Sequence, residues 1–332
     1  MSSLPKTLGL GPLAYHLYHR PIAALGDSIR AGGPVGQWRT ERGRRQMEVA
    51  ALGLPSLPLP APGETALEIH VLTGRKFWYQ TAFCLWTFGK QTGRPLAPVI
   101  HDDGSLTEEW RSHLRRIVPG AFFVSKEEAI ARLDEFLPQA RFPLLRERWQ
   151  NYPHLRKLTD VHAGRVGWRL SMDSDLLFFS DPVMLVDWLD RPTRPLHATD
   201  VQNAYGYPLE LLAELAGRPV PELVNTGLCG LSGEDIDWPR LEDCCRRLFA
   251  QAGKSYYLEQ ALAAILLAGR DCVVAPISSY VTLPVAPEVH ECRAVMHHYV
   301  AGSKRWYFRN NWRRALSAGE PRSGEPPNPK AL

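Results

Sequence analysis

Segments with the patterns of strands and helices alternate between residues 66 and 137, and this alternation restricts the fold more than any other feature. ALEIHVLTG (66–74) is short, contains β-branched residues and stops at a glycine, as a strand does. KFWYQTAFCLWTFGKQTG (76–93) has apolar residues at helical spacing and ends at a glycine. Two more strand–helix pairs follow at 95–118 and 121–137. The sequence therefore predicts an α/β fold, with a mostly parallel sheet flanked by helices.

Composition divides the chain into three parts. Residues 1–63 are rich in proline and glycine, which predicts a basic, irregular extension with short helices near 12–30 and 38–52 and a proline-rich linker. The α/β domain is expected over residues 64–316. Residues 317–332 consist mainly of proline, glycine and charged residues, and we expect a disordered tail there.

Cysteine content and hydropathy exclude several classes of protein. None of the six cysteines forms a C-x-x-C pair, which excludes a zinc ribbon and argues against a small disulfide scaffold. Buried reduced thiols suit a reducing compartment. The sequence has no apolar run of about 18 residues and no signal-peptide pattern at its start. We therefore expect a cytoplasmic protein.

Positive charge is concentrated at the start of the chain. The net charge is +4, and residues 1–60 alone hold seven basic and three acidic residues. Such a basic leader can contact anionic lipid or nucleic acid, or it can be an ordinary solvated segment. Peripheral contact with an anionic membrane through residues 1–60 is therefore a hypothesis, with a solvated segment as the alternative. We expect no binding of nucleic acid, because the sequence contains no recognised nucleic-acid-binding module.

Two aspartates interrupt an otherwise apolar stretch, WRLSMDSDLLFFSDP (168–182). Asp173 and Asp175 follow a predicted strand at 166–172, and residues i and i+2 of a strand point to the same face. Two buried like charges repel each other, so one must be protonated or a cation must neutralise both. Mg²⁺ and Mn²⁺ accept such oxygen ligands. The alternative is that one aspartate caps a turn while the other faces water.

A second motif, HHYVAGSKRW (297–306), helps to interpret the two aspartates. The D-x-D after an apolar strand resembles that of GT-A glycosyltransferases, and the second motif resembles the H-x-x-G-x-x-K-P-W pattern of glycosyltransferase family 8. Gly302 is one position late here, and an arginine replaces the proline. The resemblance implies that Asp173, Asp175 and His298 hold Mn²⁺ or Mg²⁺ and that Lys304 pairs with a diphosphate. If the register is shifted by one, His297 is the ligand.

Three weaker motifs resemble segments of the same family. The resemblance places Asn225 of ELVNTGLCGL near the donor sugar or the acceptor, and Asp200 of HATDV at the end of a strand. In YYLEQALAAIL, Glu259 replaces the family's first acidic residue and Gln260 is retained. Gln260 is then expected beneath the anomeric carbon, and Glu259 is expected to contact the acceptor or act as a base.

Further residues are predicted to contact the nucleotide. HLRKLTD resembles a basic element of the family, which assigns Lys157, or alternatively Arg156, to the donor phosphate or sugar. Ligands of open α/β sheets bind at the carboxyl ends of the strands. Thr73, Gly74 and Arg75 are therefore expected near the nucleotide. Asp102 and Asp103 are expected at the base or ribose, or else in a plain Asp-Gly turn.

Together these motifs imply a metal-dependent glycosyltransferase. It would move a sugar from a nucleoside-diphosphate sugar, expected to be a UDP-sugar, to an unknown acceptor with retention of configuration. One alternative is a catalytically inactive binding or scaffold protein on the same fold. Another is a sugar nucleotidyltransferase, although LTGRKFW (72–78) is a poor match to the glycine-rich phosphate loop of those enzymes.

Overall fold

Ten strands form two sheets in the computed structural model, which describes residues 32–318. The predicted helix near 12–30 and the predicted tail from residue 319 onward lie outside the described residues. The strands are β1 (His70–Thr73), β2 (Val99–Asp102), β3 (Phe122–Val124), β4 (Trp168–Met172), β5 (Leu176–Phe178), β6 (Leu196–Thr199), β7 (Val224–Ser232), β8 (Val273–Val274), β9 (Tyr280–Thr282) and β10 (Met296–His298).

The central sheet has seven strands in the order β3-β2-β1-β4-β7-β6-β8. Four of its neighbouring pairs are parallel, and β7 runs antiparallel to both β4 and β6. The prediction of a mostly parallel sheet is therefore confirmed. A small sheet in the order β5-β10-β9 begins immediately after β4, so the chain passes from one sheet to the other through residues 173–175.

Helices cover the sheet, and several begin or end where the sequence predicts. Ser125 and Glu128 form a capping box at one helix start, and Gly93, at φ 62°, ends another in the left-handed conformation. The helices are α1 (Gly33–Ala51), α2 (Trp78–Thr92), α3 (Glu108–Ile117), α4 (Lys126–Phe136), α5 (Pro143–Asn151), α6 (Arg156–His162), α7 (Val183–Asp190), α8 (Leu209–Ala216), α9 (Trp238–Ala252), α10 (Leu258–Leu267), α11 (Glu288–Glu291), α12 (Lys304–Trp306) and α13 (Trp312–Ser317). None of these described helices is both long and apolar enough to span a bilayer.

Burial is deepest in the middle of the central sheet. All nine residues of β7 are buried, and so is the run from Trp78 to Gly89 on α2. One hydrophobic core contains β1, α2 and β5, and a second lies among α4, α5, α8, α9 and α10. A strand covered on both faces cannot carry ionic side chains along its length. The polar residues of the site therefore occur where strands end.

Helix α1 joins the described N-terminal segment to the end of the domain. A Cβ atom on Gly43 would lie 2.2 Å from the carbonyl oxygen of Phe308, so only glycine permits this approach. Arg309 donates to the carbonyl oxygen of Gly36 at 2.6 Å and to Thr40 Oγ1 at 2.9 Å. Met47, on the same side of α1, is fully buried in the core. The two ends of the described chain thus stabilise each other.

Gly43→Ala should destabilise the protein, because the added methyl group collides with backbone that cannot rotate away. We expect a loss of about 1–3 kcal/mol in the free energy of unfolding, measured by chemical denaturation. Gly302→Ala is the matched control, since no atom lies within 4 Å of the position that a Cβ would take there. Equal stability of the two variants would contradict the close packing of α1.

Candidate metal and nucleotide site

Pairing between β5 and β10 brings three predicted ligands to one place. Asp173 and Asp175 lie in the turn between β4 and β5, just beyond the end of the strand. The amide of Asp173 donates to the carbonyl of Gly227, and the amide of Tyr299 donates to the carbonyl of Asp175, at 2.9 and 3.0 Å. Residue 298 pairs with Leu176 across the small sheet. His298 is therefore fixed beside the aspartates, although 123 or more residues separate them in sequence.

The side chains of Asp173, Asp175 and His298 form a compact cluster. One ligand atom from each lies within 4.8 Å of the other two. His298 Nε2 is 3.3 Å from Asp175 Oδ1 and 3.5 Å from Asp173 Oδ2. This nitrogen is buried and has no hydrogen-bond partner among residues 32–318. A buried nitrogen that faces two carboxylate oxygens without a hydrogen bond is in the position expected of a metal ligand.

Asn225 determines which nitrogen of His298 faces the carboxylates. Its Oδ1 atom lies 3.1 Å from His298 Nδ1 and can only accept, so Nδ1 carries the hydrogen in the neutral ring. The lone pair of Nε2 is then directed at the aspartates. The other end of the Asn225 amide donates to Asp200 Oδ2 at 2.9 Å. Two carboxylates and one imidazole make a suitable ligand set for Mn²⁺, and the carboxylates also suit Mg²⁺.

In the absence of a cation, the site binds a proton instead. Burial opposes a charge on His298, but its contacts with the two carboxylates outweigh burial and raise its pKa to about 9. Carboxylates outnumber ammonium groups four to two along the cavity wall. This excess of negative charge favours a cation at the cluster.

Two lysines flank the aspartates in different environments. Lys157 is 6% exposed, and its Nζ is 3.0 Å from Asp173 Oδ1 and 3.4 Å from Glu259 Oε2. Burial alone would lower its pKa, but these carboxylates raise it above the ordinary value, so Lys157 stays charged. Lys304 is 39% exposed, with its Nζ 3.2 Å from Asp175 Oδ2. Of the two lysines, Lys304 is the more exposed to solvent.

The four residues predicted as catalytic line the same cavity of about 400 Å³. Gln260 Nε2 donates to Asp200 Oδ2 at 3.2 Å, so Asp200 holds the amides of both Gln260 and Asn225. Glu259 accepts from Thr226 Oγ1 at 2.8 Å. Burial raises the pKa of Glu259, while Lys157 opposes this shift. The structure thus brings Asp200, Asn225, Glu259 and Gln260 together with the three ligands and both lysines.

The residues predicted at the ends of β1 and β2 do not line this cavity. Thr73 is 3% exposed and accepts from Thr81 Oγ1 at 2.7 Å. A Cβ on Gly74 would lie 2.1 Å from Asp103 Oδ2, so this glycine allows the two loops to pack together. Arg75, which is exposed, and Asp103, which is partly exposed, remain accessible at this edge of the sheet.

Asp102 stabilises an Asp-Gly turn, which was the alternative that the sequence offered for this loop. Its Oδ1 atom accepts from three backbone amides of the following residues, at 2.8–3.1 Å, and its Oδ2 atom accepts from Arg111 at 2.8 Å. The side chain is 2% exposed. The Asp102 carboxylate thus accepts four hydrogen bonds from within the protein.

Neighbouring residues resolve two alternatives that the sequence left open. His297 is fully buried on the other face of β10, where its ring nitrogens contact Tyr299 Oη at 2.9 Å and Glu288 Oε1 at 2.7 Å. The shifted register that made His297 a ligand is therefore wrong. Arg156 pairs with Asp160 at 2.8 Å, away from the cavity, which leaves Lys157 as the site residue of that pair.

Gly302 does not have the position expected from the motif. It lies outside the cavity lining, and its neighbour Ala301 lines the cavity in the left-handed conformation at φ 44°. Ala301 is also the residue three positions after His298, where the family pattern has glycine. The backbone conformation that favours glycine is thus retained, and alanine adopts it at an energetic cost.

Aromatic residues at the mouth of the cavity were not predicted from the sequence. Tyr152, His154, Tyr256 and Tyr257 all contribute to the lining. The only feature of the sequence that pointed to these aromatic residues was the Tyr-Tyr pair just before Glu259. Adjacent tyrosines alone do not indicate whether a side chain is buried or exposed.

Comparison with known proteins shows the fold. No protein-family model and no curated protein sequence matches the chain. The galactosyltransferase LgtC, in complex with donor and acceptor sugar analogues, is similar at a TM-score of 0.50 and 13% identity, over 77% of this chain and 98% of that chain. The bifunctional glycosyltransferase WbbM has a TM-score of 0.49 and 11% sequence identity, over 78% of this chain and 52% of that chain. Mouse xyloside xylosyltransferase 1 has a TM-score of 0.48 and 12% sequence identity, over 70% of this chain and 97% of that chain.

Asn225→Ala should weaken Mn²⁺ binding about 10- to 100-fold, because His298 loses the partner that orients its ring. Binding can be measured by electron paramagnetic resonance titration of the full chain with UDP present. Gln260→Ala is the control, since it removes the other amide held by Asp200 and leaves His298 untouched. Equal Mn²⁺ affinities of wild type and Asn225→Ala would show that Asn225 does not position the ligand.

The predicted fold is thereby confirmed: the mixed sheet with flanking helices, and its similarity to LgtC over most of both chains, identify a GT-A fold.

Proposed function

We propose that this chain is a metal-dependent glycosyltransferase that moves a sugar from a UDP-sugar to an acceptor hydroxyl group. The convergence of Asp173, Asp175 and His298 within 4.8 Å, in a GT-A fold, carries this proposal. These residues would hold Mn²⁺ or Mg²⁺, which would neutralise charge that develops on the departing diphosphate. The structurally similar LgtC in complex with donor and acceptor sugar analogues supports the same substrate classes.

The two lysines have different roles in this proposal. Lys304 lies at the cavity surface and would contact the diphosphate as a point charge. Lys157 is buried between Asp173 and Glu259, and it would keep the Asp173 carboxylate ionised and fixed in direction. The pKa of Asp173 supports this role, because burial would raise it but Lys157 holds it below the ordinary range.

Gln260 and Glu259 would act at the reacting sugar. Gln260 is held by Asp200, and by resemblance it would lie beneath the anomeric carbon, which favours retention of configuration. Glu259 is buried against Lys157 and Thr226, and it would contact the acceptor or act as a base. The stereochemical outcome can be read from the anomeric proton of the product by NMR.

Asp175→Ala should abolish the stabilisation that UDP and Mn²⁺ give together. A ligand at about 100 times its Kd stabilises the folded state by about 2.7 kcal/mol, which is a shift of several degrees in Tm for a domain of this size. We expect the wild-type shift with UDP and Mn²⁺ but not with UDP alone. Asp181→Ala, an exposed aspartate in the turn after β5, is the matched control and should behave as wild type.

Turnover distinguishes an enzyme from the inactive scaffold. Wild-type protein incubated with UDP-glucose, UDP-galactose or UDP-xylose and Mn²⁺ should release UDP, and Asp175→Ala should not. Binding without release would favour the scaffold. An unchanged UDP shift in Asp175→Ala would show that the nucleotide binds elsewhere.

We also propose that α1 forms part of the membrane contact hypothesised for residues 1–60. Val35, Trp38 and Val49 are 61%, 58% and 69% exposed, and they recur with Arg42 and Arg45 on one face of the helix. The guanidinium of Arg42 lies 5.3 Å from the ring centroid of Trp38. Apolar side chains interleaved with arginines suit the interface of an anionic bilayer, where both kinds of group find partners.

Trp38→Ser combined with Val49→Ser should abolish co-sedimentation with vesicles of phosphatidylcholine and phosphatidylglycerol. Wild-type protein should sediment with these vesicles and not with pure phosphatidylcholine, because both charge and apolar contact are needed. Phe122→Ser removes an aromatic side chain that is 60% exposed on the edge strand β3, and it serves as the control. Equal sedimentation of wild type and the double variant would exclude α1 from the contact.

A further inference from the structure

The mouth of the cavity carries two exposed aromatic rings. Tyr256 and Tyr257 are 64% and 44% exposed, and both line the cavity that holds the proposed metal ligands. Exposed aromatic surface beside a polar cavity marks a place where a ligand contributes the missing apolar contact. The proposed metal ligands, the lysines and the amides account for the interior of the cavity and make no use of these rings.

The loop that carries the rings is held rigidly from beneath. Tyr152 Oη donates to the carbonyl of Tyr256. Tyr207 Oη accepts from the amide of Ser255 at 3.1 Å and donates to the carbonyl of Gly253 at 3.0 Å. These hydrogen bonds fix residues 253–257 before any ligand arrives. A preformed aromatic surface of this kind loses little conformational entropy when a ligand binds.

Glycine at position 206 is part of the same support. Its φ is 68°, and a Cβ atom there would lie 2.1 Å from Ser255 Oγ. Ser255 Oγ in turn accepts from the amide of Tyr257 at 3.0 Å. The loop therefore rests directly on the backbone of residue 206, which leaves the tyrosine rings to face outward.

The two rings stand nearly perpendicular to each other. Their centroids are 5.3 Å apart with an interplanar angle of 88°. Tyr256 is further held by a contact of 2.9 Å between its Oη and His154 Nε2. The two ring planes therefore meet in a corner. A pyranose ring matches such a corner, because it has an apolar face of C–H groups and a rim of hydroxyls.

Position in the chain places this corner next to the residues proposed to act at the reacting sugar. Tyr257 is the residue immediately before α10, and Glu259 and Gln260 occupy the first turn of that helix. The predicted nucleotide residues at the ends of β1 and β2 lie outside the cavity lining. A ligand stacked on the tyrosines is thus adjacent to the pair proposed to work at the anomeric centre.

We propose that Tyr256 and Tyr257 form the binding platform for the acceptor, and that the acceptor presents a pyranose ring to it. This inference rests on the proposed glycosyltransferase function. It identifies the acceptor as a carbohydrate and names the residues that select it.

The test uses the full chain with Mn²⁺, the UDP-sugar that it hydrolyses, and p-nitrophenyl glycosides of glucose, galactose, xylose and N-acetylglucosamine as acceptors. Tyr256→Ala and Tyr257→Ala should each lower kcat/KM for the acceptor by about 10-fold or more, mainly through KM. Tyr256→Phe, which keeps the ring, should retain most of the activity. Donor hydrolysis and the Tm shift with UDP and Mn²⁺ should stay within twofold and within 1 °C of wild type, as a rough tolerance.

Phe136→Ala is the control, since it removes an aromatic side chain that is 44% exposed outside the cavity. An unchanged acceptor KM in both tyrosine variants would overturn the platform. Loss of the UDP shift in those variants would show that the rings stack on the nucleotide base and would also overturn it. Donor hydrolysis with no transfer to any of the four glycosides would overturn the pyranose assignment, whereas absence of UDP binding in wild type would overturn the proposed function itself.

Discussion

The site depends on the cost of placing two carboxylates next to each other in a partly enclosed cavity. Asp173 and Asp175 repel each other, and each has a cationic neighbour on its outer side, Lys157 and Lys304 respectively. Between them the two aspartates share His298. The arrangement leaves the space between the carboxylates and the imidazole as the one point in the described cavity where a cation satisfies all three groups.

The fold supplies this geometry through two sheets rather than one. The central sheet ends β4 at the first aspartate, and the small sheet fixes His298 by pairing β10 with β5. Beneath them, Asp200 and Asn225 orient the imidazole through a chain of hydrogen bonds. Asp200 and Asn225, predicted as catalytic residues, thus also hold the His298 ring in place. Such supports are buried and polar, so they resemble catalytic groups when only the sequence is read.

The sequence predicted those site residues whose chemistry is unusual for their surroundings. Paired aspartates in an apolar stretch are recognisable because they conflict with burial, whereas His298 and Lys304 were predicted only because their motif resembles that of glycosyltransferase family 8. Thr73 and Asp102 were predicted from their place at strand ends, but the structure pairs both side chains within the protein. Every parallel strand ends at the same edge, so position alone does not separate a ligand contact from a loop support.

The alternation of strand and helix patterns determined the α/β fold and the edge of the sheet where polar residues gather, because both follow from periodicity and chain direction. Tertiary structure decided between His298, which the motif favoured, and the alternative His297, because the two side chains project from opposite faces of β10. It also decided that Ala301 takes the conformation expected of glycine and that Tyr256 and Tyr257 stand exposed at the cavity mouth. These features depend on contacts between segments far apart in the chain, and no local pattern encodes them.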